Sequence, residues 1–426
     1  MKRQMIACIL ACQLLACAIS GCGYYKETAA TESPEQPLDL TEQYYDSSGQ
    51  VAYEKPTATV HILIDQSGYE CTDAKRAVFV GDGLADTFSV CDKETKETVY
   101  TGHIIKKGFD PARHDYIWEG DFSDVNTPGT YYISTQKLGQ SYPFEIRDDL
   151  YLERLEILGR QLSGYDFSKQ TAFDTDCCIA VSNLLLAFEL YGEKEDASAY
   201  FKNIASGIGK WQQLDDLSQA DRQQLSGLLA QYAGTCKEFD EEGARAALSQ
   251  AKQLFVPAET EGAPETYFAA TQLYKASGDR QYRTIVERIL EQSGQTVSGN
   301  DISGKALYMM GDIAYLTTGY EVNQKLCEQV MDRFLSKAEA LSSQAGTHIY
   351  RITAGETGDD LYENMLILAI VDYAIVSHEY LSLLKEDIHY LYGKGLLTDI
   401  SEHTVSEQTY IYVIMMHIAQ RKENIT

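Results

Sequence analysis

The feature that most constrains this chain is a change of hydrophobic period near Asp148. From Thr59 to Ile146, short β-branched and aromatic runs (TVHILI, RAVFVG, TFSVCD, ETVYTGHII, DYIWEGDF, GTYYIST, YPFEI) alternate with turn sequences such as GDG and TPG. Runs of that length between such turns are strands, and about seven of them make a small β-sandwich. After Asp148, apolar residues recur every three or four positions, from DLYLERLEILGRQL and CIAVSNLLLAFELY through to SEQTYIYVIMMHIAQ. That spacing gathers apolar side chains on one helical face, and about twelve such segments follow one another across short Gly- or Asp-containing turns. The fold class is therefore multidomain, β then α: a sandwich over 58–147 and an all-helical domain over 148–426. Twelve paired helices build an (α/α)6 barrel; an open stack of helical hairpins has the same pattern.

The N-terminus reads MKRQMIACILACQLLACAISGC, with Lys2 and Arg3 ahead of an apolar run from Met5 to Ile19. This is the layout of a secretion signal, and the run is short for a membrane span. Ile19-Ser20-Gly21-Cys22 resembles a bacterial lipobox. The expectation is a signal peptide over 1–21, a mature chain lipidated at Cys22 and a membrane attachment through lipid alone. An ordinary cleaved signal with an incidental Cys22 is the alternative. Residues 22–57 are polar and acidic with few aliphatics, as in a flexible tether.

With 63 acidic residues against 36 Lys and Arg, the net charge of −27 repels nucleic acid and anionic lipid. Cys71, Cys91, Cys177, Cys178, Cys236 and Cys327 follow no CxxC or zinc spacing, so neither a metal nor another cofactor is expected. A Cys71–Cys91 bridge and two buried thiols both fit an exported sandwich. No GxGxxG, GxxxxGK[ST], HExxH or GxSxG motif occurs.

Several stretches occur together in order. Asp65-Gln66-Ser67-Gly68-Tyr69, Lys75-Arg76-Ala77, Asp121-Phe122-Ser123 and Pro128-Gly129-Thr130-Tyr131-Tyr132 mark the sandwich. The helical part contains Asn183-Leu184-Leu185-Leu186-Ala187-Phe188-Glu189, Leu273-Tyr274-Lys275-Ala276-Ser277-Gly278-Asp279 and Ile388-His389-Tyr390-Leu391-Tyr392-Gly393-Lys394. The first set resembles the immunoglobulin-like domain that precedes the catalytic module of many family 9 glycoside hydrolases of the endoglucanase type. The second set resembles that module's LLLAYE, LYRATGD and HYLLGRN segments. The resemblance implies an (α/α)6 barrel and a β-linked, β-glucan-type polysaccharide as partner.

Inverting hydrolysis needs one carboxyl to protonate the leaving oxygen and a second to take a proton from water. In the family the base side is a DAGD turn ahead of the LLLAYE helix. The matching stretch here is Asp166-Phe167-Ser168-Lys169, preceded by Gly164-Tyr165. Asp166 keeps the position that helps hold water, and Lys169 replaces the base; a lysine of ordinary pKa is protonated at neutral pH and accepts no proton. A register slip would bring Asp174 or Asp176 to the base position; the other reading makes both helix N-terminal residues. Glu407, five residues before Tyr412, matches the family acid, yet Thr404-Val405-Ser406-Glu407 is also a T-x-x-E capping box. As acid, Glu407 needs its pKa raised by an apolar pocket or a neighbouring carboxylate.

Only Gly395–Val405 separates Lys394 from Ser406, with His403 as sole histidine and no arginine, where family enzymes place a loop whose His and Arg grip the sugar. Tyr165, Tyr410 and Tyr412 are candidate stacking platforms, and Tyr373, Tyr380, Tyr390 and Tyr392 fit either a barrel mouth or packing. The expectation is thus inverting hydrolysis of polysaccharide by Glu407 with Asp166, or a catalytically inactive surface protein that binds glycan or a partner. A scaffold that binds no ligand is the third alternative.

Overall fold

The computed structural model describes residues 59–170, 172–192, 197–256, 263–296, 306–354, 360–394 and 403–423. The expected signal, Cys22 and the whole of the expected tether lie outside the described residues.

Among the described residues nine strands, all paired antiparallel, form the sandwich: β1 (Ile62–Leu63), β2 (Arg76–Val80), β3 (Thr87–Asp92), β4 (Thr98–His103), β5 (Ile105–Asp110), β6 (Asp115–Asp121), β7 (Gly129–Thr135), β8 (Gly139–Gln140) and β9 (Phe144–Ile146). One sheet has the order β1-β2-β6-β5; the other runs β4-β3-β7-β8, with β9 also on β7. Between them Phe79, Phe88, Val90, Phe122, Ile133 and Phe144 are buried. The first sheet is covered on both faces, because Val78, Val80 and Ile117 on its far side join the helical core. This explains why β2 reads RAVFV as one apolar run rather than an alternation. Burying each such side chain is worth about 1.5–3 kcal/mol, so docking the two domains has a hydrophobic base.

Twelve helices follow among the described residues: α1 (Leu150–Gly164), α2 (Thr175–Tyr191), α3 (Ala197–Trp211), α4 (Gln219–Cys236), α5 (Glu241–Leu254), α6 (Pro264–Ser277), α7 (Arg280–Thr296), α8 (Ala306–Thr317), α9 (Gln324–Thr347), α10 (Leu361–Ile375), α11 (His378–His389) and α12 (Val405–Glu423). The even-numbered helices are buried over most of their length, and form the inner ring. Odd-numbered helices bury a stripe; α5 buries only Ala244, Ala247 and Ala251, a spacing of three and four. Around the ring α12 meets α2, α2 meets α4, α4 meets α6, α6 meets α8, and α10 meets α12. Between α8 and α10 the circuit is completed through α9, which meets both, giving the (α/α)6 arrangement rather than an open stack. Helix α2 also touches α8 across the ring, so the barrel is flattened. The hairpin returns leave the inner helices parallel, with their N-termini gathered at one end, the mouth.

The junction of the two domains is a buried polar network. Asp65 accepts from Arg154 Nη2 at 2.6 Å and lies 2.8 Å from His389 Nδ1, while Arg154 Nη2 also donates to Ser67 Oγ and the Gly68 carbonyl. Asp73 receives Lys385 at 2.7 Å and the Tyr151 hydroxyl at 3.2 Å, and Lys422 reaches Glu70 at 3.0 Å. Burial pushes the Asp65 and Asp73 carboxyls up, but Arg154 on the first, Lys385 on the second and His389 on both hold them below the usual carboxylate range. Gly393 lies directly on this contact: a Cβ there would stand 2.8 Å from Asp65 Cα and closer still to the Ile64 carbonyl.

Cys71 and Cys91 are both free thiols, so the bridge alternative is not realised. No helix among the described residues is long and apolar enough to cross a membrane.

Candidate active site

The turn ahead of α2 is built around Phe167, which is buried against Trp211 of α3 with ring centroids 6.2 Å apart. Gly207 of α3 allows that approach, since a Cβ there would meet Phe167 Cβ at 2.5 Å. Asp166 starts the turn: one carboxylate oxygen accepts from the Ser168 backbone N–H at 3.0 Å and from its hydroxyl at 2.5 Å. The hydroxyl bond, ahead of other causes, holds the Asp166 carboxyl below its ordinary pKa. Lys169 is 82% exposed, with its ammonium 3.7 Å from the other Asp166 oxygen. In the stretch that resembles the family's base turn, Lys169 is thus open to solvent and paired with Asp166.

Asp174 caps α2, accepting from the Cys177 N–H at 2.8 Å, and Asp176 is exposed in the same first turn. Glu407 accepts from the Thr404 N–H at 2.6 Å, while its own N–H donates to Thr404 Oγ1 at 3.2 Å. That is a complete capping box at the start of α12.

Around these carboxylates the mouth gathers residues from three inner helices. Tyr362 of α10 shares a 2.5 Å hydrogen bond with His403 Nδ1, which lies 3.9 Å from Glu407 Oε2. The Tyr362 ring lies nearly parallel to Tyr410 of α12, at 29° and 6.3 Å. Burial raises the Tyr410 hydroxyl far above its ordinary pKa, and the charges of Glu363 and Asp176 push it further. Asp176, Glu363 and Glu407 thus surround a stacked tyrosine pair, while Asp166 is tied down with Lys169 beside α3. Sequence reasoning missed Tyr362 and Glu363, which carry no local motif. His403 carried the available signal, as the histidine four residues before Glu407.

The stacking platforms need correction. Tyr410 is only 5% exposed with Tyr362 along one face, so it cannot offer a sugar a free surface. Tyr412 turns the other way, over Gly159 of α1, because residues two apart on a helix point about 200° apart. Tyr165 is half-buried, edge-on to Phe167 at 4.8 Å, with its hydroxyl held by Gln170. Tyr373 packs on Tyr191, Tyr390 on Tyr350, and Tyr392 under the Arg154 guanidinium, and Tyr380 is buried; these are packing residues.

Of the two best-formed cavities among the described residues, the larger, about 120 Å³, lies at the domain junction between Asp73 and Lys385. The smaller, about 10 Å³, sits behind Phe167 and has room for roughly one water. Among the described residues no group of three or more His, Cys, Asp or Glu is placed to hold a metal ion.

Residues 57–140 match the model of the cellulase N-terminal ig-like domain. The structure resembles a metagenome-derived glycoside hydrolase family 9 endoglucanase (TM-score 0.67, 15% identity, 84% of this chain and 98% of that one). It also resembles a family 9 protein of Bacteroides ovatus (0.66, 12%, 84% and 98%) and AaCel9A in complex with cellobiose-like isofagomine (0.64, 15%, 85% and 99%). No curated protein matches the chain. The chain thus has a cellulase-type immunoglobulin-like domain followed by the (α/α)6 barrel of family 9 endoglucanases.

Proposed function

We propose that this chain is a lipid-anchored bacterial surface protein that binds β-linked polysaccharide at the barrel mouth without hydrolysing it. The observation that carries this reading is the exposed Lys169–Asp166 ion pair in the stretch that resembles the family's base turn. A protonated ammonium cannot take water's proton, and it draws on the aspartate that would orient that water. Glu407 meanwhile has one oxygen committed to the Thr404 N–H and serves the helix it starts. The polysaccharide partner is supported by the shared fold and by the cellobiose-like ligand held by one protein of that fold. Surface attachment is supported by the lipobox-like Cys22 and the acidic tether. Affinity electrophoresis through gels containing soluble β-glucans tests the binding: retardation is expected, and unaltered mobility in every glucan contradicts it. Palmitate labelling of the native chain but not of Cys22→Ala is expected for the anchor.

A second reading, inverting hydrolysis with Asp176 as a displaced base and Glu407 as acid, is favoured by one observation. Asp176 is exposed, and α2 and α12, which carry the two residues, pack side by side. Reducing-end release that disappears in both Asp176→Asn and Glu407→Gln would establish it in place of the first.

A further inference from the structure

The segment from Ile349 to Ala354 straps the sandwich to the barrel mouth. The Tyr350 hydroxyl donates to Asp110, and Arg351 Nε lies 3.2 and 3.1 Å from the two Glu119 oxygens, both in the sandwich. Arg351 has φ of 56°, a left-handed conformation that a non-glycine residue keeps only where its surroundings impose it. Beyond it Ile352, Thr353 and Ala354 are buried, and Gln344 Nε2 donates to the Ala354 carbonyl. The chain then leads to α10, whose first turn sets Tyr362 and Glu363 at the mouth.

One clamp holds the middle of the strap. Asp387 of α11 is fully buried; its Oδ1 accepts from the Thr353 N–H at 2.9 Å, and its Oδ2 lies 2.6 Å from Thr353 Oγ1. From α10, Asn364 Nδ2 donates to the Thr353 carbonyl at 2.6 Å. The charged groups of the surrounding elements are engaged elsewhere. On α11, Lys385 and His389 serve Asp73 and Asp65, and Glu386 pairs with Arg76. On α10, Glu363 acts on Tyr410, and Asp372 holds His417 and Arg421 of α12. Lys422 of α12 serves Glu70, Glu339 of α9 acts on Tyr380, and Arg351 of the strap pairs with Glu119.

Asp387 is thus a buried carboxyl whose hydrogen bonds, among the described residues, all go to Thr353. Thr353 donates both bonds, from its N–H to Oδ1 and from Oγ1 to Oδ2; in the neutral acid the C=O keeps the N–H bond, and the Thr353 hydroxyl turns to accept the acid O–H. Ionised, it is a buried charge with no counter-ion among the described residues, which a protein interior disfavours strongly. We propose that Asp387 is a proton-operated latch, which pins the strap between the sandwich and the mouth when protonated and releases it when ionised. Burial raises this carboxyl from 3.8 to about 7, against the opposing pull of the Thr353 bonds. A folded-state value raised in this way means that the contribution is full below about pH 3.8 and is lost as pH rises through about 7. The latch is independent of whether the mouth binds glycan.

Hydrogen exchange of peptides spanning 349–354 and 361–368 in the whole chain, corrected for the intrinsic base-catalysed rate, tests it. In the native protein, protection is expected to fall about tenfold between about pH 5.5 and about pH 8.5. Asp387→Asn, which mimics the neutral acid and does not titrate, is expected to keep the same protection at both. Unchanged native protection, or an equal fall in Asp387→Asn, overturns the latch. Should the Asn variant fail to fold, Thr353→Val is expected to lower protection of the strap already at the acidic pH; native-like protection there also overturns it.

Discussion

The domain junction and the barrel mouth use the same side chains, aspartate, glutamate, histidine, tyrosine and a cation, to different ends. At the junction Asp65 and His389 are fully buried, and the Asp65 carboxylate meets Arg154, His389 and the Ser67 hydroxyl. At the mouth Lys169 is 82% and Glu407 33% exposed, and Asp166, Asp174 and Glu407 spend their oxygens on backbone N–H groups at turn and helix starts. Burial makes each junction bond costly to lose, whereas solvent makes each mouth carboxylate replaceable. The Asp65-Gln66-Ser67-Gly68-Tyr69 stretch that resembles the family's motif welds two domains, whereas the turn at Asp166 and Lys169 stands open to solvent.

Substitutions should reproduce that contrast. The largest effect is expected for Asp65→Ala, which leaves Arg154 and His389 buried without their carboxylate and should cost about 3–5 kcal/mol in urea unfolding. Trp118 reports the sandwich and Trp211 the barrel, so both should lose cooperativity together. Next comes Gly393→Ala, whose added methyl must push Ile64 and Asp65 aside, at about 1–3 kcal/mol. Acid should attack the junction first: the depressed carboxyls of Asp65 and Asp73 stabilise fully above about pH 3.8, and that contribution is lost as pH falls through their lower folded values. An acid titration of native fluorescence should show this, and an acid midpoint unchanged in Asp65→Ala would break the comparison. The smallest effect is expected for Glu407→Gln, about 1 kcal/mol or less from the capping box and helix dipole. A loss there as large as that of Asp65→Ala would make the mouth a second buried network.

Much of the fold was readable from the period change at Asp148, because pleat and helix impose their spacings locally. RAVFV showed itself as a strand, but that it faces helices on one side and a sheet on the other was settled only by distant partners Ile117 and Phe88. At the mouth, the caps at Asp174 and Glu407 were legible because a cap is a relation over three residues. Tyr362 joins Tyr410 from a different helix, and Asp387 owes its state to burial by a strap more than thirty residues away in sequence; no local pattern encodes either. Tyr410 and Tyr412 failed as a pair for a reason the sequence did contain, since alternate residues face together on a strand and apart on a helix.

The central claim is that the mouth lacks a base at Lys169. Its most direct test is the release of reducing ends from soluble β-glucans by the native chain, Lys169→Asp and Glu407→Gln, assayed side by side. No release by the native chain is predicted, with any activity appearing only in Lys169→Asp. Steady release by the native chain that vanishes in Glu407→Gln would contradict it.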